Sequence, residues 1–128
     1  GQFSAMYKPF HLIGMELNIS IFSAALLNQS TGQTQTFSGD VVATSKRALK
    51  KGEILDGEGG ATVWGKLIPV KDSLSNETLP IGLAHGIKLN KDIKEDQIIT
   101  WKDVDYSSDD PTVSFRRSME KNFRSSLD

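Results

Sequence analysis

One short pattern occurs twice in this sequence, and the repeat constrains the fold more than any other feature. The copies read R-A-L-K-K-G-E-I-L-D at 47–56 and K-D-I-K-E-D-Q-I-I-T at 91–100, and they align without a gap at an offset of 44 residues. A repeat at this period indicates two copies of one supersecondary unit, so we predict a β-module with a local pseudo-twofold relation. Such modules commonly serve binding or assembly, and these residues by themselves indicate no catalytic mechanism. The coinciding apolar pairs are Leu49 with Ile93, Ile54 with Ile98, and Leu55 with Ile99.

Length, composition and charge exclude several classes of protein. A chain of 128 residues has room for one domain with a modest core, and an apolar fraction of 38% fits a β-rich fold with exposed ends. The net charge of −1 gives no attraction to nucleic acid or to an anionic membrane. The sequence contains no cysteine, which excludes disulfides and cysteine-based zinc sites. We therefore expect a cytoplasmic protein that binds neither nucleic acid nor membrane.

The ends of the sequence bear on where such a chain belongs. No apolar run reaches the roughly 18 residues that span a bilayer, and the N-terminus lacks the basic region of a signal peptide. Gly1 stands where an initiator methionine would be expected. We therefore expect the chain to be a piece of a longer cytoplasmic protein.

The chain divides into three predicted zones. Residues 1–36 form a helical tail, with a helix that begins near Asn18 or Ser20 and ends near Gly32. Its apolar residues cover much of the helix circumference, so the helix needs a packing partner. That partner is either the β-module that follows or a missing upstream catalytic domain, to which this zone would belong.

Residues 37–106 form the predicted β-module. Short β-branched segments alternate with turns rich in glycine and lysine, which favours a convoluted β-fold over a sandwich. Gly52 lies in the turn of the first copy, where a glycine is free to take a positive φ. The predicted fold class is thus mainly β, with a helical segment before the module and an amphipathic helix after it.

Residues 107–128 form the third zone, an amphipathic helix opened by Asp110-Pro111. Its apolar residues recur every four positions and predict one stripe that docks on this chain or on a second subunit, so a homodimer is a reasonable expectation. The alternative is a basic surface for phosphate or nucleic acid, formed by the residues around that stripe. The stripe comprises Phe115, Met119, Phe123 and Leu127, and the basic residues are Arg116, Arg117, Lys121 and Arg124.

The sequence contains few groups with a recognisable reactive arrangement. His11 and His85 have no acidic or histidine partner at helical spacing, so we predict no zinc site. The D-G-E-G-G segment at 56–60 is predicted to be a flexible β-loop rather than a phosphate cradle, because no G-K-[ST] follows it. Trp64 and Trp101 are expected in the core or at a seam, with sugar stacking as the alternative.

The segment Y-K-P-F-H-L-I-G-M-E at 7–16 combines aromatic, cationic, imidazole and carboxylate side chains around a proline and a glycine. Lys8, His11 and Glu16 are costly to bury without a partner. Either these polar groups face water along a linker, or the segment forms the edge of an active site whose other wall lies elsewhere.

The repeat and its surroundings resemble a known domain. The stretch A-T-S-K-R-A-L-K-K-G-E-I-L, followed by A-H-G-I-K-L-N-K-D-I-K-E-D-Q-I-I-T-W-K-D-V, is similar to SAF domains. Those domains have the β-clip fold and occur in sialic acid synthases, antifreeze-like proteins, sugar-acid dehydratases, and pilus and flagellar assembly proteins. The resemblance implies a β-clip fold here and leaves the function open.

The flanking motifs resemble one group more closely. Y-K-P-F-H-L-I-G-M-E, D-G-E-G-G-A-T-V-W-G and L-P-I-G-L-A-H-G are similar to segments of bacterial NAD(P)-dependent oxidoreductases of the homoserine dehydrogenase-like group, which includes deoxyxylulose phosphate reductoisomerase-like enzymes. In that group a Rossmann domain and a catalytic domain come first, and the SAF domain follows. The resemblance covers about 7–123.

This resemblance implies partners and site residues. NAD(P) would be held by the upstream Rossmann domain of the same chain, because the sequence has no G-x-G-x-x-G, and the 128 residues alone would be inactive. Lys8 and His11 would lie at the edge of the parental active site, offering a cation to an anionic small-molecule substrate and a proton. The SAF domain would close that site or join subunits. The alternative is a free-standing SAF module that binds carbohydrate or serves assembly without redox activity.

Overall fold

The structure, a computed structural model, describes residues 5–33 and 35–124 and divides into two units, Gly1–Gln35 and Thr36–Asp128. The first unit contains α1 (Ile13–Leu27). The second contains five strands, two further α-helices and two 3₁₀ turns, at Ile81–Leu83 and Trp101–Asp103. Its regular elements are β1 (Gly39–Ser45), β2 (Ile54–Asp56), β3 (Val63–Pro69), α2 (Val70–Asn76), β4 (His85–Leu89), β5 (Val104–Asp105) and α3 (Pro111–Arg124).

Helix α1 begins earlier than predicted and ends sooner. It begins at Ile13 without a side-chain cap, and the Leu12 carbonyl accepts the amides of Met15 and Glu16 at 3.0 Å each. It ends because Asn28 adopts the left-handed conformation, at φ 52°, and donates its amide to the Ser23 carbonyl. No residue of α1 is buried, although most of them are apolar.

The second unit is built on two small antiparallel sheets. β1 pairs with β3 without a slip, from Gly39 opposite Pro69 to Ser45 opposite Val63. The other sheet has the order β2-β4-β5, and its β2–β4 register shifts between the pairs Ile54–Lys88 and Asp56–His85. The three α-helices hold 15, 7 and 14 residues and the strands only 7, 3, 7, 5 and 2, so the fold is mixed α/β. The prediction of a mainly β fold overstated the strand content.

Backbone hydrogen bonds join the two copies of the repeat. Each such bond has an equivalent bond in which the residue of either copy is replaced by the residue 44 positions away in the other copy. Leu49 and Ile93 lie opposite each other, and each amide donates to the other carbonyl at 2.9 Å. The Gly52 amide donates to the Leu89 carbonyl at 2.8 Å, and the equivalent bond, from Asp96 to Ser45, measures 3.1 Å. Similarly, the bridge between Thr44 and Ile98 corresponds to the pair Ile54–Lys88.

The turns of the two copies also match in detail. In the first copy the Glu53 carboxylate accepts the Lys50 amide at 2.6 Å, and in the second the Gln97 side chain accepts the Lys94 amide at 3.0 Å. A side chain three residues along closes each turn on its own backbone. The same position of each turn has a positive φ, 91° at Gly52 and 57° at Asp96.

The core of the second unit forms around these paired copies. Leu49, Leu55, Ile93 and Ile99, which occupy equivalent places in the repeat, are each at most 2% exposed. Burying each such side chain contributes about 1.5–3 kcal/mol relative to leaving it in water. Trp101 joins this core as expected, whereas Trp64 is 38% exposed at the surface. The remaining core residues are Ala43, Val63, Leu79, Ala84, Leu89, Val104 and Val113.

Helix α3 docks through a face that the sequence analysis did not predict. Its buried residues are Val113 and Glu120, while Phe115, at the start of the predicted stripe, is 74% exposed. A stripe with a spacing of four drifts by about 40° per step around a helix of 3.6 residues per turn, so it does not keep to one face. Met119 and Phe123 are half-buried, and Leu127 lies outside the described residues.

Charged side chains anchor α3 to the rest of this unit. The Arg116 guanidinium binds the buried carboxylate of Asp40 in β1, and its Nε donates to Glu120 at 2.8 Å. Arg116 also lies over the Phe37 ring, at 5.3 Å from its centroid. Burial alone would lower the pKa of Arg116, but the hydrogen bonds to Asp40 and Glu120 outweigh it and leave that pKa raised. The ion pairs therefore add to the apolar packing of α3, in which Phe123 of the predicted stripe lies edge-on to Phe37 with 5.3 Å between the ring centroids.

The matching turns predict opposite effects of two substitutions. Gly52→Ala should lower the free energy of unfolding by about 1–2 kcal/mol, because an alanine at this positive φ is strained even though no atom blocks its Cβ. Asp96→Gly should leave stability equal or slightly higher, because the equivalent φ suits glycine. Urea denaturation measures both. Gly82→Ala is the control, since Gly82 has open space and no left-handed φ; equal losses for both alanine variants would contradict the prediction.

The ion-pair anchor predicts a large loss of stability when its cation is removed. Arg116→Met should reduce the free energy of unfolding by about 3–5 kcal/mol, because the buried carboxylate of Asp40 would keep its charge without a cation and Glu120 would lose one of its two arginine partners. The change is measured by urea denaturation followed by circular dichroism. Arg47→Met removes an arginine that pairs with Glu53 at the surface and should leave the midpoint close to that of the parent. Similar midpoints for the two variants would rule out this role of Arg116.

Candidate functional site

In the first unit, Glu16 brings together the two predicted site residues. Its carboxylate pairs with Lys8 through one oxygen and with His11 Nδ1 through the other. The Leu12 amide donates to the same carboxylate at 3.2 Å. Because Glu16 lies in the first turn of α1, its negative charge also suits the positive end of the helix. The three polar residues singled out in the sequence therefore form one cluster.

This cluster has groups that suit acid–base chemistry. A carboxylate that holds one nitrogen of an imidazole orients the ring, and a neighbouring ammonium can pair with an anion. The side chains of Lys8 and His11 remain 47% and 68% exposed. Their exposure also fits a solvent-facing segment, so the catalytic assignment of Lys8 and His11 stays a prediction.

In the second unit, strand pairing brings His85 onto the D-G-E-G-G loop. The end of β2 lies against the start of β4, and His85 Nδ1 is 3.0 Å from the carbonyl oxygen of Asp56. A carbonyl oxygen only accepts, so Nδ1 carries the proton and donates to it. With Nδ1 engaged, Nε2 is the nitrogen left for a ligand.

The carboxylate of Asp56 closes the loop beneath this histidine. It accepts the amides of Ala61 at 2.6 Å and Thr62 at 3.0 Å, together with the Thr62 hydroxyl. The Thr62 hydroxyl, followed by these two amides, lowers the pKa of Asp56 to about 2. Lys46 donates to the carbonyl of Gly60 and ties the loop to the residue after β1. The loop predicted to be flexible is thus closed by several hydrogen bonds.

Two glycines of this loop are required by close approach. A Cβ on Gly57 would lie 2.9 Å from both Cβ and Nδ1 of His85, and φ at Gly57 is 77°. A Cβ on Gly60 would lie 2.2 Å from the carboxylate of Asp56. Real contacts are never this short, so glycine permits both the carboxylate closure and the seating of the histidine.

An open cleft of about 330 Å³, here called the His85 cleft, borders this histidine. One wall comes from the turn before β4 and from β4 itself, and the other from the segment between β5 and the first turn of α3. Its principal lining residues are Leu83, His85, Gly86, Asp105, Tyr106 and Val113. The lining thus combines an imidazole, a phenol and a carboxylate with apolar surface.

Sequence reasoning missed His85 because its partner is distant in the chain. Its ring is held by the backbone of Asp56, 29 residues earlier, so a search for partners at helical spacing finds nothing. One signal was available: D-G-E-G-G and L-P-I-G-L-A-H-G are both among the motifs that carry the resemblance to oxidoreductases. The structure places these two motifs in contact.

The arginines of α3 do not form the basic surface considered for phosphate or nucleic acid. Arg116 binds Asp40 and Glu120, and Arg117 donates to Glu120 at 2.6 Å while lying over the Trp101 ring at 5.2 Å from its centroid. Arg124 donates to the carbonyl oxygen of Leu74. These three cations are therefore already engaged within the chain.

Among residues 5–33 and 35–124, no group of three or more His, Cys, Asp or Glu side chains is arranged to hold a metal ion. None of the helices in this part of the chain has the length and apolar character required to cross a membrane.

The sequence was compared with models of protein families and with curated proteins, and neither comparison finds a match.

The loop closure predicts the titration of Asp56. Its carboxyl should titrate with a pKa of about 2, and Thr62→Val should raise that pKa toward the ordinary value of 3.8, because the hydroxyl bond is lost. Since the folded pKa is below the unfolded one, this contribution to stability is present above about pH 4 and is lost as the pH falls toward 2. NMR titration of the side-chain carboxyl carbons measures the shift. Asp92, whose pKa is lowered mainly by the Lys51 amide, is the internal control and should not respond; an unchanged Asp56 in the variant would contradict the closure.

Proposed function

We propose that the second unit is a SAF module of the β-clip type, and that the chain is the C-terminal region of an NAD(P)-dependent oxidoreductase of the homoserine dehydrogenase-like group. The module would close the substrate site or join subunits. This proposal rests on the reciprocal hydrogen bonds between Leu49 and Ile93, which occupy equivalent positions in the two copies. A β-clip built on a duplicated unit requires its two copies to be paired in this symmetric way. We assign the module to the SAF family because the repeat is similar to SAF sequences.

The contact between two motifs supports the oxidoreductase assignment over other SAF proteins. The loop at 56–60 and the segment before β4 each resemble the same enzyme group, and His85 joins them. Motifs that resemble one enzyme group and that contact each other favour a shared task. Closing over a small-molecule substrate is such a task.

The apolar surface of α1 supports an upstream partner. Ile13, Met15 and Leu26 are each at least 69% exposed, and no residue of this helix is buried. A helix with apolar residues around its circumference is normally covered by other parts of a protein. We propose that a catalytic domain covers it and that Lys8 and His11, held by Glu16, face the substrate there. Lys8 would pair with an anionic group and His11 would supply a proton.

NAD(P) would belong to a Rossmann domain of the same longer chain. The 128 residues contain no G-x-G-x-x-G with which to hold a dinucleotide, so the cofactor would be bound outside them. That nucleotide supplies hydride transfer, and the residues described here would bind, orient and shield the substrate.

A second function is favoured by one observation. The His85 cleft is lined entirely by residues of the second unit. A free-standing SAF module that binds carbohydrate or takes part in assembly, without redox activity, would have such a self-contained site.

Nucleotide binding separates the two functions. The complete product of the gene should bind NADPH or NADH tightly, measured by calorimetry, and residues 1–128 alone should not. In the complete protein, Lys8→Gln and His11→Asn should leave nucleotide binding unchanged and reduce turnover, because both residues are placed at the substrate. A reading frame that starts directly before Gln2, or micromolar nucleotide binding by the 128 residues alone, would overturn the oxidoreductase proposal.

A further inference from the structure

We propose that the His85 cleft binds a small molecule that donates a hydrogen bond to His85 Nε2 and carries no negative charge, of the polyol, sugar or amino-sugar class. The site lies within the second unit and requires no nucleotide. It therefore stands or falls separately from the oxidoreductase assignment.

The imidazole of His85 acts as the hydrogen-bond acceptor of this cleft. Its Nδ1 donates to the Asp56 carbonyl, which leaves Nε2 as the ring nitrogen that can accept a hydrogen bond from a ligand. Because the ring packs against Gly57 of the closed loop, its orientation is set before any ligand arrives. A ligand hydroxyl or ammonium that meets this nitrogen thus loses little to reorganisation of the protein.

Tyr106 supplies a second polar group to the cleft. The Tyr106 ring packs edge-on against buried Trp101, with 5.0 Å between the ring centroids. The Tyr106 hydroxyl has no hydrogen-bond partner among the described residues, and the side chain is 41% exposed. A phenol donates as well as accepts, so Tyr106 can complement a ligand oxygen in the same cleft as His85.

The charges of the lining exclude an anionic ligand. Asp105 and Asp110 line the cleft, and no lysine or arginine among residues 5–33 and 35–124 does. Lys88 lies opposite Asp105 in the β4–β5 register, but it lines a different cleft. The Asp110 carboxylate also accepts the amides of Thr112 at 2.7 Å and Val113 at 3.1 Å, which lowers its pKa and keeps its charge in place. A phosphate or carboxylate ligand would meet these negative groups without a balancing cation.

Shape and apolar surface fit a molecule the size of a monosaccharide. Leu83, Ile87 and Val113 provide apolar contacts, and Gly82 and Gly86 add no side chains to the cleft. The volume, about 330 Å³, lies at the lower end of the range for small-molecule sites. The C–H faces of a sugar ring can pack on such apolar surface while its hydroxyls reach His85 and Tyr106.

Three probes with one carbon frame and different charge test the proposal. D-glucose, D-glucosamine and D-glucose 6-phosphate are titrated into the 128-residue chain, and the ring nitrogens of His85 are followed by ¹⁵N NMR. Glucose or glucosamine should shift the Nε2 resonance, and glucose 6-phosphate should bind at least about tenfold more weakly. Tighter binding of glucosamine than of glucose would identify an amine-bearing ligand, and equal binding a neutral hydroxyl donor.

Matched variants assign the binding to this cleft. His85→Gln should abolish the response to sugar, and Tyr106→Phe should weaken binding by about three- to tenfold through the loss of one hydrogen bond. Tyr7→Phe changes the other tyrosine of the chain, which does not line the cleft, and should bind as the parent does. Amide spectra check that each variant is folded. No shift with any probe, equal binding by the His85 variant, or preference for the phosphate would overturn the proposal.

Discussion

The reciprocal pairing of Leu49 with Ile93 is the constraint on which the second unit depends. Each of these residues uses its amide and carbonyl on the other, and both side chains are buried. A short strand cannot satisfy its own backbone groups, and an isolated pair of such strands is marginal in water. Each copy of the repeat therefore needs the other, so the buried leucine and isoleucine positions of both copies are ordered in the same step.

The candidate site arises where the two copies differ. The 44-residue offset places Thr100 in the position of Asp56, and Val41 in the position of His85. In the second copy Thr100 caps the 3₁₀ turn at Trp101–Asp103, which carries Trp101 into the core. In the first copy Asp56 instead closes a glycine loop at the surface. The repeat thus preserves the pairing that builds the fold, while one copy has a loop that carries an exposed histidine.

The parts of the fold that sequence predicted are those that leave a local or periodic signal. The alignment of Gly52 with Asp96 indicated equivalent turns, and a positive φ occurs at both. The face on which α3 docks leaves no such signal, since Arg116 finds Asp40 76 residues away. His85 was missed for the same reason: its partner is a backbone carbonyl, which has no residue type to recognise. The cluster of Lys8, His11 and Glu16 was easier to predict from the sequence, because all three lie within nine residues.

The anchoring of α3 bears directly on the His85 cleft. Asp110 and Val113 line the cleft and lie at the start of this helix, and Arg116 binds Asp40 one turn further along. A buried ion pair adds little stability compared with apolar residues of the same size, but its geometry is specific, and a wrong placement leaves charges unpaired. An apolar face would tolerate a rotation or slide of the helix. The Arg116–Asp40 contact between α3 and β1 does not, so it holds the α3 side of the cleft at a defined position.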